Sequence, residues 1–237
     1  MVKGVRFIGL RDAGDPACLA ARYDREGADE IVVLDVAASR DGRRTFLATI
    51  ERAAEGLTIP LIAGGGIRAL TDARAVVAAG ADKVAVNTAA IERPELLGEL
   101  ADAFGVQAVV LAVDVKRRAA GWQVFARGGR EPTRLEAVAW ASRGVRAGAG
   151  EILLTSIDRD GTGEGFDVEL TRALVDGVGV PVIASGGARR AEDFVDVLRD
   201  GGADAALAAS IFHDARVSIA EVKARLARAG VPVRRDP

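Results

Sequence analysis

The chain repeats itself at half its length. "IPLIAGGG" at 59–66 returns as "VPVIASGG" at 180–187, 121 residues later, and "GADE" at 27–30 returns as "GAGE" at 148–151 at the same spacing. "AGAD" at 79–82 returns as "GGAD" at 201–204, a spacing of 122. A unit of that length holds about four strand–helix pairs, and two such units make an eight-stranded (β/α) barrel, the TIM-barrel architecture. An open doubly wound sheet also fits an alternating α/β chain, but it does not call for a half-and-half repeat.

The local patterns agree with the repeat. Short apolar runs predict strands at 30–36, 59–63, 83–87, 107–115, 151–157, 180–185 and 204–210. Several are apolar on both faces, as strands covered by helices on one side and core on the other must be. Between them, helical periodicity predicts helices at 15–27, 44–56, 71–80, 94–105 and 191–201. Thr71 and Pro94 stand where a helix start takes a cap or a first-turn proline. Gly56, Gly80, Gly105 and Gly201 stand where helix ends take glycine. Strict alternation with short links predicts a parallel sheet. No Pro/Ser-rich linker divides the chain, so the expectation is one domain over 1–237, with half-repeats of approximately 1–106 and 107–237.

The same repeat raises a question about the N-terminus. The strand at 107–115 opens the second half, and a position 121 residues before Asp114 falls upstream of Met1. The opening "MVKGVRF" instead matches "GWQVFARGG" (121–129), the segment after that strand. The sequence therefore leads to the expectation that barrel strand 1 is missing from this chain and that "MVKGVRF" is a loop that follows it. The alternative is that residues 1–7 slide into the vacant position.

Bulk properties narrow the class. Hydrophobic residues make up 49% and charged residues 28%, an ordinary globular balance. A net charge of −2 gives no general attraction to nucleic acid or anionic membrane. No apolar run approaches the roughly 18 residues of a membrane helix, and the N-terminus shows no secretory pattern. Cys18, the single cysteine, lies among apolar positions of the first helix and reads as a buried structural thiol. His213 has no cysteine or second histidine with which to hold a metal. The expectation is a soluble, cytoplasmic, metal-free protein.

Chemistry in such a barrel sits at the carboxyl ends of the strands. "AGGGI" (63–67) with "NTA" (87–89), and "ASGG" (184–187) with "AAS" (208–210), are repeat-related glycine loops at strand ends. They read as two phosphate sites, since glycine lets main-chain N–H groups approach phosphate oxygens closely. The candidate ligands are Gly65, Gly66, Asn87 and Thr88 in one, and Ser185, Gly186, Gly187, Ala209 and Ser210 in the other. Two phosphates imply a long substrate lying across the barrel mouth. Asp114 ends the longest apolar strand between them and is the candidate general acid or base. The polar loop "TSIDRDGTGEG" (155–165) adds Thr155, Asp158, Asp160 and Gly161 as candidate substrate contacts, and Asp35 is similarly placed. At the other end, Glu30, Lys83 and Glu151 each immediately precede a strand, and inward-facing charges there need partners, so a salt-bridged ring is the plain reading.

Taken together, "VKGVRF", "LRDAGDP", "DEIVVLD", "AGGGIR", "GADKVAVNTAA", "AVDVKR", "GAGEILLTSIDRDGT", "IASGGA" and "AASIFH" resemble, in order, the cyclase subunits of imidazole glycerol phosphate synthase of histidine biosynthesis. The resemblance runs from residue 1 to about 235. It implies a lyase that takes the phosphoribulosyl-formimino aminoimidazole carboxamide ribonucleotide and ammonia to imidazole glycerol phosphate and the aminoimidazole carboxamide ribonucleotide. It implies no cofactor, and it implies a glutaminase partner that docks on the bottom of the barrel and sends ammonia through the interior. Glu30, Lys83 and Glu151 then become members of an ammonia gate, and Lys3 a mobile-loop lysine that closes over substrate. The family's acid/base pair is implied only in part, because its second aspartate lies on the first strand. Two alternatives stand beside this reading: the sibling isomerase of the pathway, and a non-catalytic barrel that only activates a glutaminase.

Overall fold

The computed structural model describes residues 2–5, 8–12, 14–35, 42–119 and 121–234, and among them the side chains of 14–35, 44–119 and 121–234. In chain order the elements are β1 (Val2–Val5), β2 (Ile8–Asp12), α1 (Pro16–Arg25), β3 (Ile31–Leu34), α2 (Gly42–Ala54), β4 (Leu61–Gly64) and α3 (Leu70–Ala78). Next come β5 (Lys83–Val86), α4 (Thr88–Glu92), α5 (Glu95–Phe104), β6 (Val109–Arg118), β7 (Gly121–Ala126), β8 (Glu131–Glu136) and α6 (Ala137–Ala147). The chain ends through β9 (Glu151–Ser156), α7 (Val168–Gly177), β10 (Val182–Ser185), α8 (Ala191–Arg199), β11 (Ala205–Leu207), α9 (Ser210–His213) and α10 (Ile219–Arg228). The predicted strands and helices all form, with their ends moved by up to about three residues, the usual uncertainty of fraying termini.

Parallel strands pair in the order β11-β10-β9-β6-β5-β4-β3. This is a parallel sheet with alternating helices, the arrangement of a (β/α)8 barrel. The hairpin β7–β8 extends antiparallel from the carboxyl-terminal end of β6, pairing Asp114 with Phe125 and Arg118 with Gly121. β1 and β2 form an antiparallel pair of their own, Lys3 opposite Arg11. They stand where the repeat places the counterpart of β7–β8. Val2–Val5 within "MVKGVRF" is therefore a strand rather than a loop, and residues 2–5 do not slide into the barrel sheet. Their hydrogen bonds go to β2.

Side-chain alternation decides what each strand contributes. On β6, Val109, Leu111, Val113 and Val115 face the helices and join a core with Ile50, Leu96, Leu97, Leu100, Trp140 and Leu154. The other parity faces the barrel interior, where Ile62, Ala85, Val110, Leu153 and Ile183 form a buried apolar layer, flanked by Val32, Ala112 and Leu207. A period of two explains both sets from one strand.

The outer layer joins the two ends of the strand path. The Tyr23 hydroxyl lies 2.5 Å from His213 Nδ1, and Arg22 Nη2 donates to the Phe212 carbonyl at 3.0 Å. Further out, Lys223 and Arg234 both pair with Asp29, at 2.7 and 2.9 Å.

Two sequence expectations fail in the helical layer. Cys18 is exposed, because α1 buries Ala20, Tyr23 and Asp24, and residue 18 lies about 200° round the helix from residue 20. Thr71 does not cap α3. Asp72 does so from inside the first turn, its Oδ2 accepting from Arg68 N–H at 2.8 Å and Ala69 N–H at 3.2 Å.

Candidate functional site

The interior parity that packs Ile62, Val110 and Leu153 at mid-barrel places polar groups at both ends of the same strands. At the carboxyl end, register pairs Asp114 with Thr155 and Thr155 with Ser185, so three polar side chains from β6, β9 and β10 share one row on the interior face. Asn87, which follows β5, donates through Nδ2 to Asp114 Oδ2 at 2.9 Å. Burial, with the nearby charge of Asp160 adding to it and the Asn87 hydrogen bond opposing both, pushes the Asp114 carboxyl up to about 7. A carboxyl titrating near neutrality can both give and take a proton at physiological pH. Asn87 was expected to bind phosphate through its amide. One amide hydrogen is spent on Asp114, which also makes Asn87 a partner of the titrating group.

The two glycine loops are held by backbone packing. Gly65 and Gly66 have φ of 92° and 65°, Gly186 and Gly187 of 98° and 104°. A Cβ on Gly65 would lie 2.3 Å from the Asp35 carbonyl oxygen, and one on Gly187 would lie 2.1 Å from that of Gly165. Both conformation and space thus require glycine. Among the described residues, the N–H groups of Gly66, Gly186 and Gly187 have no hydrogen-bond acceptor, which leaves them available to an anion at the mouth. Asp160 is anchored by its own N–H, which donates to the Ser156 carbonyl at 2.9 Å, and its main chain lies against Gly186. Gly161 turns the same loop with φ 70°. Ala209 and Ser210 open α9 at the end of β11, as Thr88 opens α4 after β5.

Some candidates have structural partners. Asp158 Oδ2 accepts the Arg117 N–H at 2.8 Å, so this carboxylate ties the loop after β9 to the end of β6. Arg117 also pairs with Glu169 and lies over the Trp122 ring at 5.0 Å, joining β6, α7 and β7 just beyond Asp114. The main-chain N–H of Asp35 donates to the Gly64 carbonyl at 2.8 Å. Lys3 belongs to β1, and its side chain lies outside the described residues. Sequence reasoning missed the β7–β8 hairpin, although the Gly128–Gly129 pair between two alternating runs is a hairpin signal.

At the amino ends of the strands, Lys83 Nζ sits between Glu151 Oε2 at 2.8 Å and Glu30 Oε1 at 2.9 Å. Only the Glu151 contact is an aligned hydrogen bond. Burial opposes the Lys83 charge, but its two carboxylate partners outweigh that and raise its pKa. Burial raises the Glu30 carboxyl, with Lys83 offsetting only part of the effect. Lys83 is thus the one cation shared by two carboxylates in this trio. Among the described residues no group of three or more His, Cys, Asp or Glu could hold a metal ion, and no helix is long and apolar enough to cross a membrane.

Fold and site together define a half-repeat (β/α) barrel with a titrating carboxyl at its mouth and a charged cluster at its base. A family model described as "Histidine biosynthesis protein" matches residues 1–218. The imidazole glycerol phosphate synthase subunit HisF of Symbiobacterium thermophilum is 56% identical over 236 residues, covering 99% of this chain and 93% of the relative. That of Halalkalibacterium halodurans is 56% identical over 236 residues, with 99% and 94% covered. That of Solibacter usitatus is 54% identical over 235 residues, with 99% and 92% covered. The chain belongs to the histidine biosynthesis protein family and, within it, to the HisF cyclase subunits of imidazole glycerol phosphate synthase. The matches lend no support to an absent first strand.

Proposed function

We propose that Asp114 is the acid/base group of the cyclase reaction, in which ammonia and the formimino ribonucleotide yield imidazole glycerol phosphate and the aminoimidazole carboxamide ribonucleotide. The observation that carries this reading is a carboxyl poised near pH 7 on the interior row with Thr155 and Ser185. Ring closure and bond cleavage both move protons between nitrogen, oxygen and solvent. A group that exchanges its proton near neutrality serves either direction. Asn87 holds the carboxyl in place, and Asp160 keeps a second negative charge near it.

The two ends of the substrate carry phosphates. One is bound by Gly65, Gly66 and Thr88 and the other by Gly186, Gly187, Ala209 and Ser210, with Thr155, Asp160, Gly161 and Ser185 between them. Lys3 approaches from the β1–β2 hairpin. The open main-chain N–H groups of the glycine loops support this arrangement, since such groups favour anions. Ammonia arrives from a glutaminase subunit docked at the base, passing Glu30, Lys83 and Glu151 and then the apolar layer of Ile62, Ala85, Val110, Leu153 and Ile183. The enzyme works in the cytoplasm as a heterodimer, and the barrel acts as one domain over 1–237.

The test is turnover of the formimino substrate with an ammonium salt as nitrogen donor. Asp114→Asn keeps the Asn87 contact in size but removes the proton exchange. It should cost roughly 10²–10⁴-fold in kcat. Retention of full activity would remove Asp114 from the chemistry.

A further inference from the structure

The turn between β7 and β8 contains a residue in a backbone conformation that L-residues avoid. Arg127 has φ 53°, followed by Gly128 at 63° and Gly129 at 75°. Glycine fills two of the three left-handed positions, and the first keeps a long cationic side chain despite the steric cost. The main-chain N–H of Arg127 donates to Thr88 Oγ1 at 2.8 Å, which brings the hairpin tip onto the first residue of α4. The Arg127 guanidinium lies in solvent against two exposed carboxylates, Glu131 at 2.8 Å and Glu92 at 3.4 Å. Exposed pairs of this kind are weak and exchange readily, whereas a guanidinium binds a phosphate through a fork of parallel, charge-assisted hydrogen bonds.

We infer that Arg127 is a substrate-binding residue that exchanges Glu92 and Glu131 for the substrate phosphate held at Thr88, so that it selects for a phosphorylated end at that side of the mouth. The inference rests on the proposed reading of Thr88 as a phosphate ligand. The hydrogen bond between the two residues supports it in a second way. Thr88 Oγ1 is an acceptor toward the hairpin, so its own O–H is the group left to donate, and the residue that fixes this polarity carries the cation. Arg127 thus reaches the site from the β7–β8 hairpin, an element that belongs to neither glycine loop.

A left-handed position also provides an unusually clean variant. Arg127→Gly suits φ 53°, keeps the N–H to Thr88, and removes only the side chain and its charge. The full chain is assayed with saturating ammonium salt and varied formimino substrate, alongside Glu92→Gln and Thr88→Val. Arg127→Gly should melt within a few degrees of the parent and raise KM about tenfold, with kcat changing much less, as expected for loss of one charge-assisted contact. Glu92→Gln frees the guanidinium and should leave KM unchanged or lower. If Arg127 is only a latch between the hairpin and α4, Glu92→Gln will raise KM as Arg127→Gly does, and the inference fails. It fails equally if Thr88→Val raises KM while Arg127→Gly does not. If neither changes KM, the phosphate reading of Thr88 falls with it.

Discussion

The two halves of the barrel build their mouths with the same backbone device and fill them with different side chains. Asp72 and Asp193, 121 residues apart, each cap the helix after a glycine loop by accepting two N–H groups, from Arg68 and Ala69 in one half and from Arg189 and Arg190 in the other. Asp82 and Asp204 each accept the N–H of a neighbouring strand, at Leu61 and Val182. Gly65 packs on the Asp35 carbonyl as Gly186 packs on that of Ser156, again 121 apart. The strand ends themselves differ. Where the second half sets Thr155, buried and hydroxylated, the first sets Leu34, which is 46% exposed. Duplication preserved the backbone scaffold that holds the loops, while the side chains set on the strand ends at Leu34 and Thr155 differ.

If that division is right, changes in side chains at the barrel mouth should strike activity and changes in the shared backbone supports should strike stability. The largest effect belongs to Asp114→Asn, a loss of roughly 10²–10⁴-fold in kcat with the fold retained. Gly65→Ala and Gly187→Ala come next, because each adds a clash with main chain to an unfavourable φ. Losses of about 2 kcal/mol or more in denaturant unfolding should follow. Gly186→Ala should cost less than Gly65→Ala, since its nearest contact is 2.8 Å rather than 2.3 Å. Equal losses would show that the loops give way rather than clash. The caps come last: Asp193→Ala and Asp72→Ala should each cost about 1 kcal/mol, and the better-buried Asp193 more.

The ionisation of Asp114 adds a pH dependence to the same contrast. Its folded pKa is raised, so between about 4 and about 7 the native state binds more protons than the unfolded chain. Stability should therefore fall as pH rises through that window. Asp114→Asn should remove this contribution to the slope, whereas Asp72→Ala should leave it in place.

Much of this was legible in the sequence. Glu30, Lys83 and Glu151 could be grouped because each stands directly before a strand, and a period of two carries them to the same face as Asp114. The glycine loops were legible through the repeat. What escaped depends on contacts between distant segments. Nothing local shows that Asp158 serves the Arg117 N–H across 41 residues, or that His213 meets Tyr23 across 190. Cys18 was misplaced because its neighbours Ala17, Leu19 and Ala20 look like a core run, and only the helical phase turns it outward. The role of the β7–β8 tip rests on a positive φ at an arginine, which composition gives no reason to expect.

The most direct test is the titration of Asp114 itself, followed by carbon-13 NMR of labelled aspartate carboxyls with Asp114→Asn to assign the signal. Burial of Asp114 beside the Asp160 charge, partly offset by the Asn87 hydrogen bond, predicts a midpoint near 7. A midpoint near 4, the ordinary aspartate range, would contradict the assignment of the acid/base role to this residue.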